Sequence, residues 1–459
     1  MSGPAEPHSG RSPVALALLL LVYVGLAIAY QRAVPLFEAP DEPSHIQYVA
    51  FVNREGRLPH MVGKLDVPGE GMEPPLYYLL QQPLFSAISS YDPMLVEDLD
   101  QANRWIYRLA DLRVVTDARI RMIGTTQGPG RVLAVDPALD YLRALRWGSL
   151  AFGAVTVLLT FEAARRISGS LPFACLGTSL LAFSPQFLFV SSYVNNDVAC
   201  AALGAATLLL FAVAATRDQV ARRDYLWAAA LMATALATKL SALPAVTVAG
   251  VALFAVDRRP LRERLRDAGF AAALGVVLAL PSLWMNWHRF GGALGTSALV
   301  QSSDSLEDFE KFGGRRAYFL GVYPFVVFRS YWATFGWLNV LAPDWMYLVF
   351  FALCGLGLLG FAIGWRTERE VGHLRYFVLA TLLATFAAHL WLNLHIVAVQ
   401  GRHLFGAAPA VALLLALGIG TLFDGRGFAV GWRTAGVISA GMLGIAAYCL
   451  GRLLLPVYG

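Results

Sequence analysis

Apolar runs of about twenty residues recur along this chain with no charge inside them, and that repetition limits the fold more than any other feature. "VALALLLLVYVGLAIAY" (14–30) is the first. A helix of that length spans the roughly 30 Å hydrocarbon core of a bilayer. The composition agrees, with 57% hydrophobic and 15% charged residues among 459, against about 25% charged in soluble proteins. The expected fold is all-α and polytopic. Apolar runs fall at 13–31, 144–164, 171–191, 197–215, 225–239, 241–256, 268–285, 345–364, 374–393, 402–422 and 430–455, which predicts about eleven transmembrane helices. No small-residue cleavage site follows the first run, which therefore reads as a retained helix rather than a signal peptide. The four cysteines all lie in apolar runs and form neither a disulfide framework nor a zinc spacing.

Orientation follows from arginine. "EAARRISGS" (162–170), "TRDQVARRD" (216–224), "DRRPLRERLRD" (257–267), "WRTEREVGHLR" (365–375) and "DGRGFAVGWR" (424–433) fall on one side of such a bundle. By the positive-inside rule that side is the cytoplasm, and the N-terminus lies there too. The chain then divides into a tail and first helix (1–31), a long outer loop (32–143), helices two to seven (144–285), a second outer loop (286–344) and helices eight to eleven (345–459). In the first loop, 44–56, 75–88 and 97–121 have helical, partly amphipathic patterns. The first two suit an interfacial position.

The outer loop opens with "FEAPDEPSHIQY" (37–48), three acids and a histidine directly after a membrane helix. Asp41 fits a helix N-cap, with Glu42 and Pro43 in the first turn. The same proline-bracketed turn could project a carboxylate that accepts a proton from an attacking hydroxyl or amine. Other polar groups recur on the outer side. They are Glu73 and Tyr77 in "MEPPLYYLL", Arg146, Asn196 and Asp197 in "NND", Lys239, Arg315, Trp337 and Arg402. Each has a plain structural reading as a turn residue, an aromatic-belt residue or a snorkelling cation. Together they supply acids for proton abstraction, cations for a phosphate leaving group, and aromatics for a sugar face or a lipid.

The ordered set "PDEPSH", "PPLYYLL", "RWGSLAFG", "SPQFLFVSSYVNND", "TKLSALP" and "QGRHLF" resembles the GT-C superfamily of polyprenyl-phosphate-dependent glycosyltransferases. Relatives there include the protein O-mannosyltransferases and lipid A aminoarabinose transferases. The "PDEP..H" opening is most similar to a bacterial membrane group within it. The resemblance implies an inverting glycosyltransferase of the bacterial cytoplasmic membrane, with its site on the extracytoplasmic face. In it Asp41 is the catalytic base with Glu42 beside it. Arg402, with Arg146, Lys239 and Arg315, holds the donor phosphate. His45, Glu73, Tyr77, Asn196, Asp197 and Trp337 line the substrate cavity. Glu73 departs from the lysine that mannosyl and aminoarabinose transferases tend to carry there. Expected partners are a polyprenyl-phosphate-linked sugar, the bilayer, and a glycan, lipid or protein acceptor, with no nucleic acid. No cofactor is required by any spacing. A divalent cation would take oxygen ligands from Asp41, Glu42 and Asp197. The competing classes are a lipid or polymer transporter or flippase, and a non-catalytic membrane scaffold. The absence of paired repeats argues against transport.

Overall fold

The computed structural model describes residues 11–62, 64–67, 69–88, 137–295, 309–367 and 372–458. These residues form a helical, multi-pass membrane protein. Every predicted apolar run lies on helix, and eight helices are long and apolar enough to cross a membrane. The expected count of eleven is not reached by that measure, because three runs make shorter helices. Run 171–191 is broken by Ser184 and Pro185 into Leu171–Ala182 and Pro185–Val190. Runs 225–239 and 241–256 become Arg222–Thr238 and Leu243–Val256. They part at Lys239, whose backbone is extended.

Local chemistry sets several ends. Ser170 caps Leu171–Ala182 by accepting from the Phe173 amide, and a proline in the first turn costs no hydrogen bond there. Packing between helices relies on small residues. A Cβ on Gly418 would run into the Gly357 carbonyl, and one on Gly360 into the Gly418 carbonyl. Glycine therefore lets Asp344–Thr367 and Ala408–Asp424 close backbone to backbone. Outward faces of the long helices carry exposed Leu278, Leu348 and Phe351, which suit lipid and not water.

The segment after the first membrane helix folds inward. Glu42–Glu55 and Leu76–Ile88 are the helices expected at 44–56 and 75–88. Glu42–Phe51 is buried without a break, so the first of these helices is packed into the protein and does not lie on the interface. Its core joins Ile46, Tyr48 and Val49 to Tyr77, Tyr78, Leu142 and Leu145. The pattern at 97–121 lies outside the described residues. Between the helices Leu261–Phe290 and Asp344–Thr367, the chain contributes the helix Tyr323–Trp332 and a two-stranded antiparallel hairpin, with Thr334 opposite Leu341 and Phe335 opposite Val340.

Candidate active site

Asp41 stands at the N-cap position of Glu42–Glu55 but does not cap it. Its backbone is left-handed, at φ 62° and ψ 0°, and its side chain makes no bond to the helix amides. Aspartate is among the few side chains that tolerate this region, though at a cost of about 1 kcal/mol or more. The N-cap reading is therefore corrected: the carboxylate turns away from the helix and meets the Arg402 guanidinium.

Arg402 lies in a 3-10 turn, Gly401–Ala407, that leads into Ala408–Asp424. Only 5% of its side chain is exposed. Besides Asp41 it reaches Gln400 Oε1 at 2.7 Å, the Tyr193 hydroxyl at 3.2 Å and Asp197 Oδ2 at 3.1 Å. Asp197 is the first residue of the helix Asp197–Ala215, and its other oxygen lies 2.8 Å from Lys239 Nζ. Lys239 also donates to Asn196 Oδ1 at 2.7 Å. Asp197 thus holds two cations side by side. All four of Asp41, Asp197, Lys239 and Arg402 sit where regular α-helix begins, ends or is interrupted.

A second arm extends from Asn196. Its amide donates to Glu73 Oε2 at 3.1 Å, and Tyr78 OH lies 3.0 Å from His45 Nδ1. Glu70 Oε2 is 3.9 Å from that histidine nitrogen. Burial raises the Glu70 carboxyl well above its usual range, and nearby Glu73 and Asp41 push it further. Burial likewise raises Glu73, partly offset by Lys239. Burial holds His45 neutral, with its pKa well below the usual value, and Lys239 and Arg402 reinforce this.

Glu42 and Arg146 do not face this site. They pair with each other, both fully buried, through Nε–Oε1 and Nη2–Oε2 contacts of 2.7 Å. Arg146 also donates to the carbonyls of Gln31, Val34 and Pro35, and Glu42 accepts from the Phe37 and Val194 amides. Every donor of the fork is directed at an acceptor, so the expected roles of Arg146 in phosphate binding and Glu42 in catalysis are replaced by a structural clamp. Tyr77 is also structural in its contacts, bonded to Ser149, Gln81 and the Asn195 amide. Trp337 donates its indole N–H to the Phe37 carbonyl at 2.9 Å, bracing the segment that carries Asp41. Arg315 is exposed and lies over the Phe309 ring, in contact with none of the cluster. The cation ligands read from the sequence do not converge either. Asp41, Glu42 and Asp197 each face arginine or lysine, and among the described residues no group of three His, Cys, Asp or Glu side chains is placed to hold a metal.

Glu70 and Tyr193 are not singled out by the sequence. The signal for Glu70 was a second acid three residues before Glu73, in the turn "EGME".

Comparison with known proteins finds a family match over part of the chain. Residues 139–287 match the dolichyl-phosphate-mannose-protein mannosyltransferase family. The expected kinship with GT-C mannosyltransferases is borne out over that stretch, and the match supports a glycosyltransferase. It contains Arg146, Asn196, Asp197 and Lys239, while Asp41 and Arg402 lie outside it. An uncharacterized protein of Aquifex aeolicus (strain VF5) is 30% identical over 211 residues, 46% of this chain. The match spans 38% of the length of that relative. Among solved structures, ArnT from Cupriavidus metallidurans bound to undecaprenyl phosphate aligns over 98% of this chain and 74% of its own. The TM-score is 0.48 and the identity 12%. Its apo state aligns over 96% and 79%, with TM-score 0.38 and 12% identity.

Proposed function

We propose that the protein is an inverting glycosyltransferase that moves a sugar from a polyprenyl-phosphate carrier to an acceptor at the outer membrane face. The observation that carries this reading is the placement of Asp41. A strained, non-capping carboxylate is held against Arg402, which Asp197 joins to Lys239, and the turn that carries Arg402 borders an apolar cavity of about 670 Å³. Tyr323, Phe328, Tyr331, Leu382 and Leu415 line that cavity, and so do Leu404 and Ala407 from the same turn as Arg402. A lipid chain suits the cavity, and a phosphate at its end suits the cations.

The chemistry follows from this placement. The donor phosphate takes the Arg402 fork and Lys239, which releases Asp41 from its ion pair. Asp41 removes the proton from the acceptor as its oxygen or nitrogen attacks the anomeric carbon. The bond from that carbon to the phosphate oxygen breaks, and its electron pair stays with the phosphate. Single displacement inverts the anomeric centre. The cations stabilise the charge that develops on the leaving phosphate, which is worth about 3–4 kcal/mol for a well-placed donor. Outward placement is supported by the arginine-bearing loops, which belong to the helix ends opposite Arg146, Asp197 and Arg289.

The test uses purified protein and a panel of polyprenyl-phosphate sugars. Wild-type protein should release free polyprenyl phosphate from at least one donor, and Asp41→Asn should not. Movement of donor lipid across liposomes without sugar release would favour a flippase. Neither activity with any donor would overturn the reading.

A further inference from the structure

The cations of the site are outnumbered. Arg402 and Lys239 face four carboxyl groups, those of Asp41, Asp197, Glu70 and Glu73. Asp197 is shared by both cations and Asp41 is paired with Arg402, so these two already balance Arg402 and Lys239. Glu70 and Glu73 are left with one further cation on their turn, Arg289, whose bonds go to two carbonyls and the Tyr48 hydroxyl and not to either carboxylate. They flank one turn, closed by a bond of 2.9 Å from the Glu73 amide to the Glu70 carbonyl. That turn is fixed by Arg289, which is 4% exposed and donates to the Gly71 and Pro59 carbonyls at 2.8 and 2.7 Å. The backbone that carries both side chains is therefore held in place, and the Glu70 side chain keeps only 15% of its surface exposed.

An entering phosphate adds negative charge to this surplus. If all four carboxyls were ionised, the anion would meet a site of opposite need. We propose that Glu70 and Glu73 together carry one proton when the donor is bound, so that binding of an anionic phosphodiester at Lys239 and Arg402 is linked to proton uptake. This inference rests on the functional reading above and deepens it by naming two residues that set anion affinity without touching the phosphate.

The groups facing the pair from each neighbouring element support it. His45 is neutral and Tyr78 bonds to it, so neither supplies a counter-charge from the two outer helices. Tyr48, over the Tyr78 ring, reaches the Glu73 carbonyl oxygen and not its carboxylate. Asn196 gives Glu73 one amide donor, and Lys239 and Arg402 give only their shared field. Burial together with Glu73 and Asp41 raises Glu70, and burial with Asp197 raises Glu73 against the opposing pull of Lys239, which favours retention of a proton by the pair.

The sign is fixed by linkage. A proton required in the bound state becomes harder to supply as pH rises, so donor affinity falls with pH. The probe is a polyprenyl phosphoryl hexose, whose diester keeps one negative charge between about pH 6 and about pH 9. Wild-type affinity should fall about tenfold per pH unit over the upper part of that range. Calorimetry in two buffers of different ionisation enthalpy should show proton uptake by the unaltered protein. The Glu70→Gln/Glu73→Gln variant should bind with no pH slope, and at alkaline pH more tightly than wild type. Affinity that is flat with pH in wild type, with no proton uptake, overturns the inference and leaves the donor reading standing. A slope that persists in the double variant also overturns it, because the proton then belongs to another group. No binding at any pH in either protein overturns the donor reading and this inference with it.

Discussion

Two acid–arginine pairs begin at adjacent residues and end in different kinds of place. Glu42 and Arg146 are sealed at 0% exposure, while Asp41 and Arg402 retain 17% and 5%. The difference lies in what else each guanidinium touches. Arg146 divides its remaining donors among three backbone carbonyls, and those carbonyls belong to the segment that leaves the first membrane helix. Arg402 instead meets side chains, those of Gln400, Tyr193 and Asp197. A fork bonded to backbone cannot let go without unfolding its loop. A fork bonded to side chains can exchange one anion for another. Chemistry of the same type therefore serves as a rivet in one place and as a site in the other.

The sharpest way to break this comparison is to remove the rivet. Arg146→Met should cost about 3–5 kcal/mol, since it leaves a buried carboxylate and three carbonyls without their partner. Thermal unfolding in detergent would read this, and a variant as stable as wild type would put Arg146 back among the phosphate ligands. Asp41→Asn should lower sugar transfer by about 10²–10⁴-fold at nearly unchanged stability. Asparagine keeps the shape and tolerates the left-handed backbone, and no capping bond is lost because none exists. Glu42→Gln should do the reverse, with stability falling first. Arg402→Ala should weaken donor binding more than Arg402→Lys, because lysine keeps the charge and loses the fork. Titration with polyprenyl phosphate separates the two, and equal affinities would make Arg402 a fixed brace like Arg146. The smallest effect belongs to Trp337→Phe. It removes one N–H donor to the Phe37 carbonyl and should cost about 1 kcal/mol in the same unfolding assay, with a modest loss of rate as Asp41 loosens.

The contrast also marks what the sequence could yield. The helices were legible because lipid demands long uncharged runs, and Asp41, Asp197, Lys239 and Arg402 were legible because polar groups at the ends of such runs are few. The partner choice was not. Glu42 and Arg146 lie 104 residues apart, and nothing in "PDEP" says which of its two acids turns inward. That is decided by the left-handed backbone at Asp41, which rotates one carboxylate away from the next. Glu70 escaped because an acid in a glycine-rich turn looks solvated until Arg289 pins that turn inside the protein.

The interruptions of helix at Asp41, Asp197, Lys239 and Arg402 carry one more implication. Open backbone beside a membrane bundle must be met by protein or by water. A pocket built from such ends draws solvent in, and solvent beside an anomeric carbon is a rival to the intended acceptor. The proposed transfer then carries a leak, the loss of donor sugar to hydrolysis whenever the acceptor is late. The ratio of that loss to productive transfer measures how well the loops around the pocket keep it dry.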